Sequence, residues 1–255
     1  MVSVMRKFKP EEGTDEEAWA TRFKTTPIAA LDLEVFVRRG LTVHVVAPHP
    51  DDEILGAGGL LQRFSRLGAR AIIHALTDGE ASHPNSAMWP RLKLIQTRRE
   101  ESLEALRTLK ISFERRRLLL PDGALPEHES TISSALRDAV SENDVVIAPW
   151  RFDGHPDHEA AGRAARDVAA ERRAHLLETP IWGWNRSAPN QGEMPLDRAR
   201  RLDLEPEEQR RKAEAIARFR SQTDYDLSTG RPPILSSKVL AHFRRPYEVV
   251  FHDQL

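Results

Sequence analysis

Apolar positions along this chain fall into short continuous runs separated by stretches of helical spacing. LTVHVVA (41–47) is a run of strand length. In EILGAGGLLQRFSRLG (53–68) apolar residues recur at helical intervals and stop at Gly68, a common residue just past a helix end. ARAIIHALT (69–77) predicts a second strand, and a loop rich in Gly, Ser, Pro and Asn (78–90) leads to a long amphipathic helix over about 91–109. RRLLL (116–120) predicts a third strand, followed by a helix over 127–141. DVVIAPW (144–150) predicts a fourth strand, followed by a helix over 157–173, and HLLETPIWGW (175–184) a fifth strand. A Pro- and Asn-containing stretch (185–204), a charged helix (205–221), a loop with Gly230-Arg231-Pro232-Pro233 and a last strand, PYEVVFH (246–252), complete the pattern. Residues 1–30 are polar and read as an N-terminal arm with at best a short helix near Glu16 to Phe23. Residues 31–255 read as one domain.

Strands joined by helices imply parallel pairing with right-handed crossovers. The expected fold is α/β, a Rossmann-like three-layer α/β/α sandwich with a mostly parallel sheet. In the common 3-2-1-4-5 order the first and fourth strands are neighbours, and ligands bind in the crevice beyond their C-terminal ends. Two histidine- and aspartate-rich segments fall at that crevice: His49-Pro50-Asp51-Asp52 after the first strand, and Gly154-His155-Pro156-Asp157-His158 after the fourth. The glycines of GAGG (56–59) fall inside a helix, not in the strand-to-helix turn. They are read as close packing and not as a dinucleotide fingerprint.

Three His or carboxylate ligands plus an open position describe a catalytic metal site. His49 and Asp52, spaced i and i+3, share one face of a first helical turn, and His158 approaches from the neighbouring strand. A bound cation lowers the pKa of water from about 16 toward about 7, and a carboxylate then takes the proton. Asp51 is the candidate base, although spacing alone leaves open which of Asp51 and Asp52 is the ligand. His155 sits across the crevice as donor to an oxyanion or leaving nitrogen, with Asp157 holding or charging it. For either segment alone, helix capping is the commoner explanation, and Glu53 is read as a cap. Their pairing at one crevice reverses that balance. His44 and His74 lie mid-strand and read as core histidines; His128, His175, His242 and His252 have no companions at ligand spacing, and His83 reads as an exposed loop residue.

Composition narrows the chemistry. The chain of 255 residues has no cysteine, which removes disulfides, thiolate ligands and cysteine nucleophiles, so a metal must be held by His, Asp or Glu. Lys and Arg number 38 against 39 Asp and Glu, a formal net charge of -1, which gives no general pull toward nucleic acid or anionic membrane. No membrane span is expected, and an acidic stretch follows the first residues where a signal peptide would be apolar, so a soluble cytoplasmic protein is expected.

At PHPDDE (48–53) and HPDH (155–158) the sequence resembles the PIG-L-like (LmbE-like) de-N-acetylases, whose motifs read (A/P)HPDDE and HxDH. TDGE (77–80), TRREE (97–101), LPDG (120–123) and RFRSQ (218–222) extend the resemblance over roughly 40–225. The resemblance implies metal-dependent hydrolysis of an N-acetyl amide, typically on an N-acetylglucosamine unit. It implies His49, Asp52 and His158 as ligands of Zn2+, with Fe2+ as the alternative, Asp51 as general base, and His155, beside Asp157, as oxyanion stabiliser or acid. It also matches Arg98 and Asp122 to sugar-contacting positions, whose structural alternatives are a helix-surface ion pair and a Pro-Asp-Gly turn. Some relatives carry a Tyr where this chain has Asp153. Trp89, Trp150, Trp182 and Trp184 lie near strand ends, where they would stack on a sugar or simply pack. The expected partner is a small N-acetylated sugar or conjugate, and a homo-oligomer is compatible with the sequence. Two other classes fit parts of the pattern: a non-haem Fe(II) oxygenase with a His/Asp/His triad, and a noncatalytic Rossmann-like binding module in which the acids only cap helices.

Overall fold

A computed structural model describes residues 13–252. Its strands are β1 (Ala29–Ala30), β2 (Thr42–Ala47), β3 (Arg70–Ala75), β4 (Phe113–Arg117), β5 (Val145–Pro149), β6 (His175–Thr179), β7 (Ala199–Asp203) and β8 (Tyr247–His252). They form one sheet in the order β1-β7-β8-β6-β5-β2-β3-β4. The five strands from β4 to β6 pair in parallel, with β2 between β3 and β5 as the 3-2-1-4-5 order requires. The helices are α1 (Glu16–Thr25), α2 (Asp52–Leu55), α3 (Gly58–Arg66), α4 (Arg91–Thr108), α5 (Glu129–Arg137), α6 (Pro156–Arg172), α7 (Gly183–Arg186), α8 (Pro206–Ile216), α9 (Arg220–Thr223) and α10 (Ser237–Phe243).

Alternation along the strands feeds two apolar layers. Val43 and Val45 of β2 join Leu60, Phe64, Leu106 and Ile216 on one face. Val46 joins Val146, Ile132, Leu136 and the alanines of α6 on the other. A sheet covered on both faces explains why the central strands read as unbroken apolar runs.

The sheet extends beyond the five parallel strands, and the last strand expected over 246–252 is β8. β8 inserts antiparallel between β6 and β7, and β1 adds to β7 at the edge. β7 lies in the 185–204 stretch, where ARRLD carries no strand pattern, and α10 in a segment read as loop; Ser236 caps α10 by accepting the Val239 N–H. The third strand is Phe113–Arg117, not 116–120: the polar FERRR run pairs with β3 through its backbone, while Leu118 and Leu120 pack beneath it. The fifth strand ends at Thr179, and the expected helix over 205–221 divides into α8 and α9. The helix expected over 53–68 breaks at Gly56–Ala57. There the Glu248 carboxylate of β8 accepts the Gly59 and Leu60 N–H groups at 2.6 and 2.8 Å, and Lys212 donates to the Leu55 carbonyl at 2.9 Å and to Glu248 at 2.6 Å. A Cβ on Gly59 would lie 2.3 Å from Leu204, so these glycines do serve close packing. The described part of the arm carries α1 and β1. Trp19 is buried and donates to the Trp184 carbonyl, and Arg245 and His242 hold Glu16. Residues 1–12 lie outside the described part.

Candidate metal centre and its cavity

β2 and β5 are adjacent, so the segments that follow them meet. After β2 the chain turns sharply at Asp51, whose φ of 148° and ψ of -28° lie outside the ordinary regions for a side-chain-bearing residue. Buried contacts hold it there: its N–H donates to the Glu53 carboxylate at 3.0 Å, Ser102 donates to the same carboxylate, and its carbonyl receives the Ile54 and Leu55 N–H groups. Glu53 is therefore an internal brace of the turn. After β5, the His155 Nδ1 caps α6 by accepting the Asp157 N–H, and Pro156 stands in the first turn.

His49, Asp52 and His158 converge. His49 Nδ1 lies 3.2 Å from His158 Nε2 and 3.3 Å from Asp52 Oδ2, and His158 Nε2 lies 3.3 Å from the same oxygen. Ligands about 2.0–2.1 Å from a tetrahedral ion are about 3.3–3.4 Å apart, so this near-equilateral triangle has the dimensions of three ligands of one zinc-type ion. The outer contacts suit one tautomer of each ring. His49 Nε2 faces Asp122 Oδ1 at 3.1 Å and Asp157 Oδ2 at 3.2 Å; His158 Nδ1 faces Asp153 Oδ2 at 2.8 Å. With those nitrogens protonated toward carboxylates, two lone pairs and a carboxylate oxygen point at one another. Only a positive charge relieves that arrangement.

The electrostatics agree. Burial opposes charge on His49, but bonds to Asp122, Asp157 and Asp52 together hold its pKa well above the ordinary range. Burial likewise opposes charge on His158, yet Asp52 and Asp153 push it up to about 9. Burial would raise Asp52, and the two imidazoles hold it far below the usual carboxylate range.

Asp51 differs from its neighbour. Burial, then the adjacent Asp52 charge, raise it to about 7 against the pull of Arg98. Arg98 is not on the surface: its guanidinium is buried and donates to Asp51 Oδ2 at 3.1 Å, the Pro50 carbonyl at 3.0 Å and the Gly79 carbonyl at 2.9 Å. Gly79, in TDGE, has φ of +68° and a Cβ there would lie 1.9 Å from that guanidinium, so both conformation and space require glycine. His155 is pushed down to about 2 by burial and by the His158 and His49 charges. Its Nδ1 is an acceptor, which leaves the proton of the neutral ring on Nε2.

A cavity of about 370 Å³ opens over the centre; Asp51, Asp52, Arg98, Asp122 and His155 line one side, and Leu55, Ile181, Trp182, Gln222, Ile234 and Leu235 the other. That volume suits a small ligand.

The expectations for Asp157 and His83 change. The Asp157 carboxylate does not hold His155; it binds His49 and accepts the Gly123 and Leu125 N–H groups at 2.8 and 3.0 Å, because α6 carries it under the loop after β4. Asp122 reaches the cavity but is engaged with His49 and the Ala81 N–H. Trp182 lines the cavity, whereas Trp150 and Trp184 are core residues. His83 is half-buried beside Ser82 and Trp89. Leu55, Ile181, Ile234 and Leu235 of the cavity wall and the contacts of Asp153 were missed: Asp153 gives no signal beyond standing two residues before His155.

The family described as GlcNAc-PI de-N-acetylase (PIG-L) matches residues 44–169, which span both motifs. The 2'-N-acetylparomamine deacetylase of Streptomyces fradiae is 30% identical over 148 residues, 51% of this chain and 52% of that protein. The conserved protein TT1542 of Thermus thermophilus has a similar structure (TM-score 0.50, 33% identity, 72% of this chain and 80% of that one). The N,N'-diacetylchitobiose deacetylase of Pyrococcus horikoshii shares the fold (TM-score 0.58, 22% identity, 82% of this chain and 80% of that one). The chain spans about half the length of the curated relatives it matches.

Proposed function

The chain belongs to the PIG-L family of de-N-acetylases, and from that premise we propose a metal-dependent amidohydrolase that removes the acetyl group from an N-acetylglucosamine-type amino sugar or conjugate. The observation that carries the proposal is the ligand triangle of His49, Asp52 and His158 with a carboxyl group of pKa about 7, Asp51, beside it. Zn2+ fits the two nitrogens and one oxygen, with Fe2+ as the alternative. When bound, such a cation polarises the amide carbonyl and acidifies a water molecule.

The remaining work belongs to side chains. Asp51, turned away from the ligand Asp52 and held by Arg98, takes the proton from the attacking water and returns it to the leaving amine; a group titrating near neutrality serves in both directions. His155, neutral and protonated on Nε2, donates to the developing oxyanion. Asp157 and Asp122 orient His49, a positioning role for the first and the same role beside any sugar contact for the second. Trp182 offers a sugar-stacking face in the cavity wall. Deacetylation of amino-sugar compounds, as the names of the relatives state, supports this substrate class. Among the described residues no helix is long and apolar enough to cross a membrane.

The test is a panel of N-acetylated sugars and conjugates incubated with metal-replete protein and assayed for free amine. Release of amine from at least one, lost on chelation and restored by Zn2+ or Fe2+, is expected. Amine release that survives complete chelation would overturn the proposal, as would oxygen consumption with 2-oxoglutarate and no amine release.

A further inference from the structure

Asp153 is buried in the turn after β5, and its carboxylate meets four N–H groups. Oδ2 accepts from His158 Nδ1 at 2.8 Å and from the Trp182 N–H at 2.9 Å; Oδ1 accepts from the Ile181 and Gly183 N–H groups, both at 2.8 Å. Three of these donors belong to the turn after β6 that carries Ile181 and Trp182 into the cavity wall. The turn is fitted closely to the carboxylate: a Cβ on Gly183 would lie 3.1 Å from Asp153 Oδ1 and 3.2 Å from the Trp150 ring.

We propose that Asp153 is a positioning residue that fixes the metal-binding tautomer of His158 and locks it to the cavity wall, so that cation binding and wall order are coupled. The inference rests on His158 being a cation ligand, as in the function proposed above, and is independent of which amide is hydrolysed. A carboxylate that accepts from Nδ1–H leaves the Nε2 lone pair directed at His49 and Asp52 and makes it more basic. The same oxygen accepts the Trp182 N–H, so a ring shift that breaks one bond disturbs the other. An amide in its place has only one accepting end. Asparagine can serve the Ile181 and Gly183 N–H groups or the His158 and Trp182 side, but not both.

The experiment uses Asp153→Asn, which keeps shape and volume. Affinity for Zn2+ is measured by competition with a chelator, and thermal unfolding is measured on the cation-free protein. A folded variant with Zn2+ affinity reduced about 10- to 100-fold is expected. A folded variant with wild-type affinity overturns the inference, whatever its melting temperature, because a merely structural role lowers stability without moving affinity. A wild-type chain that binds no cation overturns both this inference and the proposed function. Two measurements on the wild type decide the matter even if the variant does not fold. Histidine nitrogen NMR of the Zn2+-loaded chain is expected to show His158 protonated on Nδ1, and amide exchange at Ile181, Trp182 and Gly183 is expected to slow on loading. A His158 that is unprotonated on Nδ1, or unchanged exchange at those amides, overturns it.

Discussion

Two pairs of histidines stand in this sheet with similar spacing and opposite character. In mid-strand, His44 Nδ1 of β2 lies 3.1 Å from His74 Nε2 of β3; beyond the strand ends, His49 Nδ1 lies 3.2 Å from His158 Nε2. The mid-strand pair contacts Asp144 alone among carboxylates in its hydrogen bonds, and that group is shared with Arg38; burial lowers both pKa values, that of His74 to about 3. The strand-end pair is surrounded by Asp52, Asp122, Asp153 and Asp157, and its pKa values rise. Closeness of two imidazoles is therefore not what sets the candidate metal centre apart. The surplus of carboxylates and the cavity above them are.

The sharpest break between the pairs is expected from removing one ring of each. His49→Ala should abolish tight Zn2+ binding and amine release while the chain stays folded. His44→Ala should leave Zn2+ affinity intact and destabilise the fold by about 2–4 kcal/mol, through a cavity and the loss of the partner of buried His74. Calorimetric titration with Zn2+ and thermal unfolding of both variants check this, and equal loss of Zn2+ affinity in the two would erase the distinction. Within the strand-end site, Asp51→Asn is expected to lower kcat by about 10²- to 10⁴-fold with Zn2+ affinity close to wild type, because the proposed function makes Asp51 a base and not a ligand.

The mid-strand pair should show itself in acid. The folded chain keeps His74 neutral, while the unfolded chain takes up its proton near pH 6.5, so stability is present above that pH. It is lost as pH falls from about 6.5 toward about 3, where folded His74 itself titrates. Each tenfold difference in proton affinity between the unfolded and folded chains corresponds to about 1.4 kcal/mol of that loss. Denaturant unfolding against pH should show a shallower acid limb in His74→Gln than in wild type, and identical limbs would assign the acid sensitivity elsewhere. The smallest effect is expected from Arg98→Lys, which keeps the charge beside Asp51 but loses the fork that also holds Pro50 and Gly79. A fall in kcat of about 10-fold, with little change in Zn2+ affinity, follows from loosening one partner of a positioned base; unchanged kcat would show that Asp51 needs no such support.

The parallel half of the sheet and the meeting of the two His/Asp segments were legible in sequence because both follow from local pattern plus one topological rule; the choice of Asp52 over Asp51 as a ligand came from the family resemblance alone. Apolar runs of strand length alternate with helical spacing, and the rule that first and fourth strands are neighbours brings PHPDDE and HPDH together. The other half was legible only in part. β8 stands where the run PYEVVFH predicts a strand, but its antiparallel place between β6 and β7 follows from no local pattern; β7 is the polar run ARRLD, and the break between α2 and α3 depends on Glu248, 189 residues from Gly59. The same limit governs the site. The neighbours of His49 could be listed from the motifs, but that Asp157 turns to His49 and not His155 depends on how α6 meets the Gly123 loop. Asp153 became visible only when β5 and the turn after β6 were set side by side.

On the function proposed, three side chains from two distant segments form one cation site, and equilibrium dialysis of cation-free wild type, His49→Ala, Asp52→Ala and His158→Ala against Zn2+ measures it. About one tightly held ion per wild-type chain is expected, and none in each of the three folded variants. A full equivalent retained by any folded variant, or none held by the wild type, would contradict it.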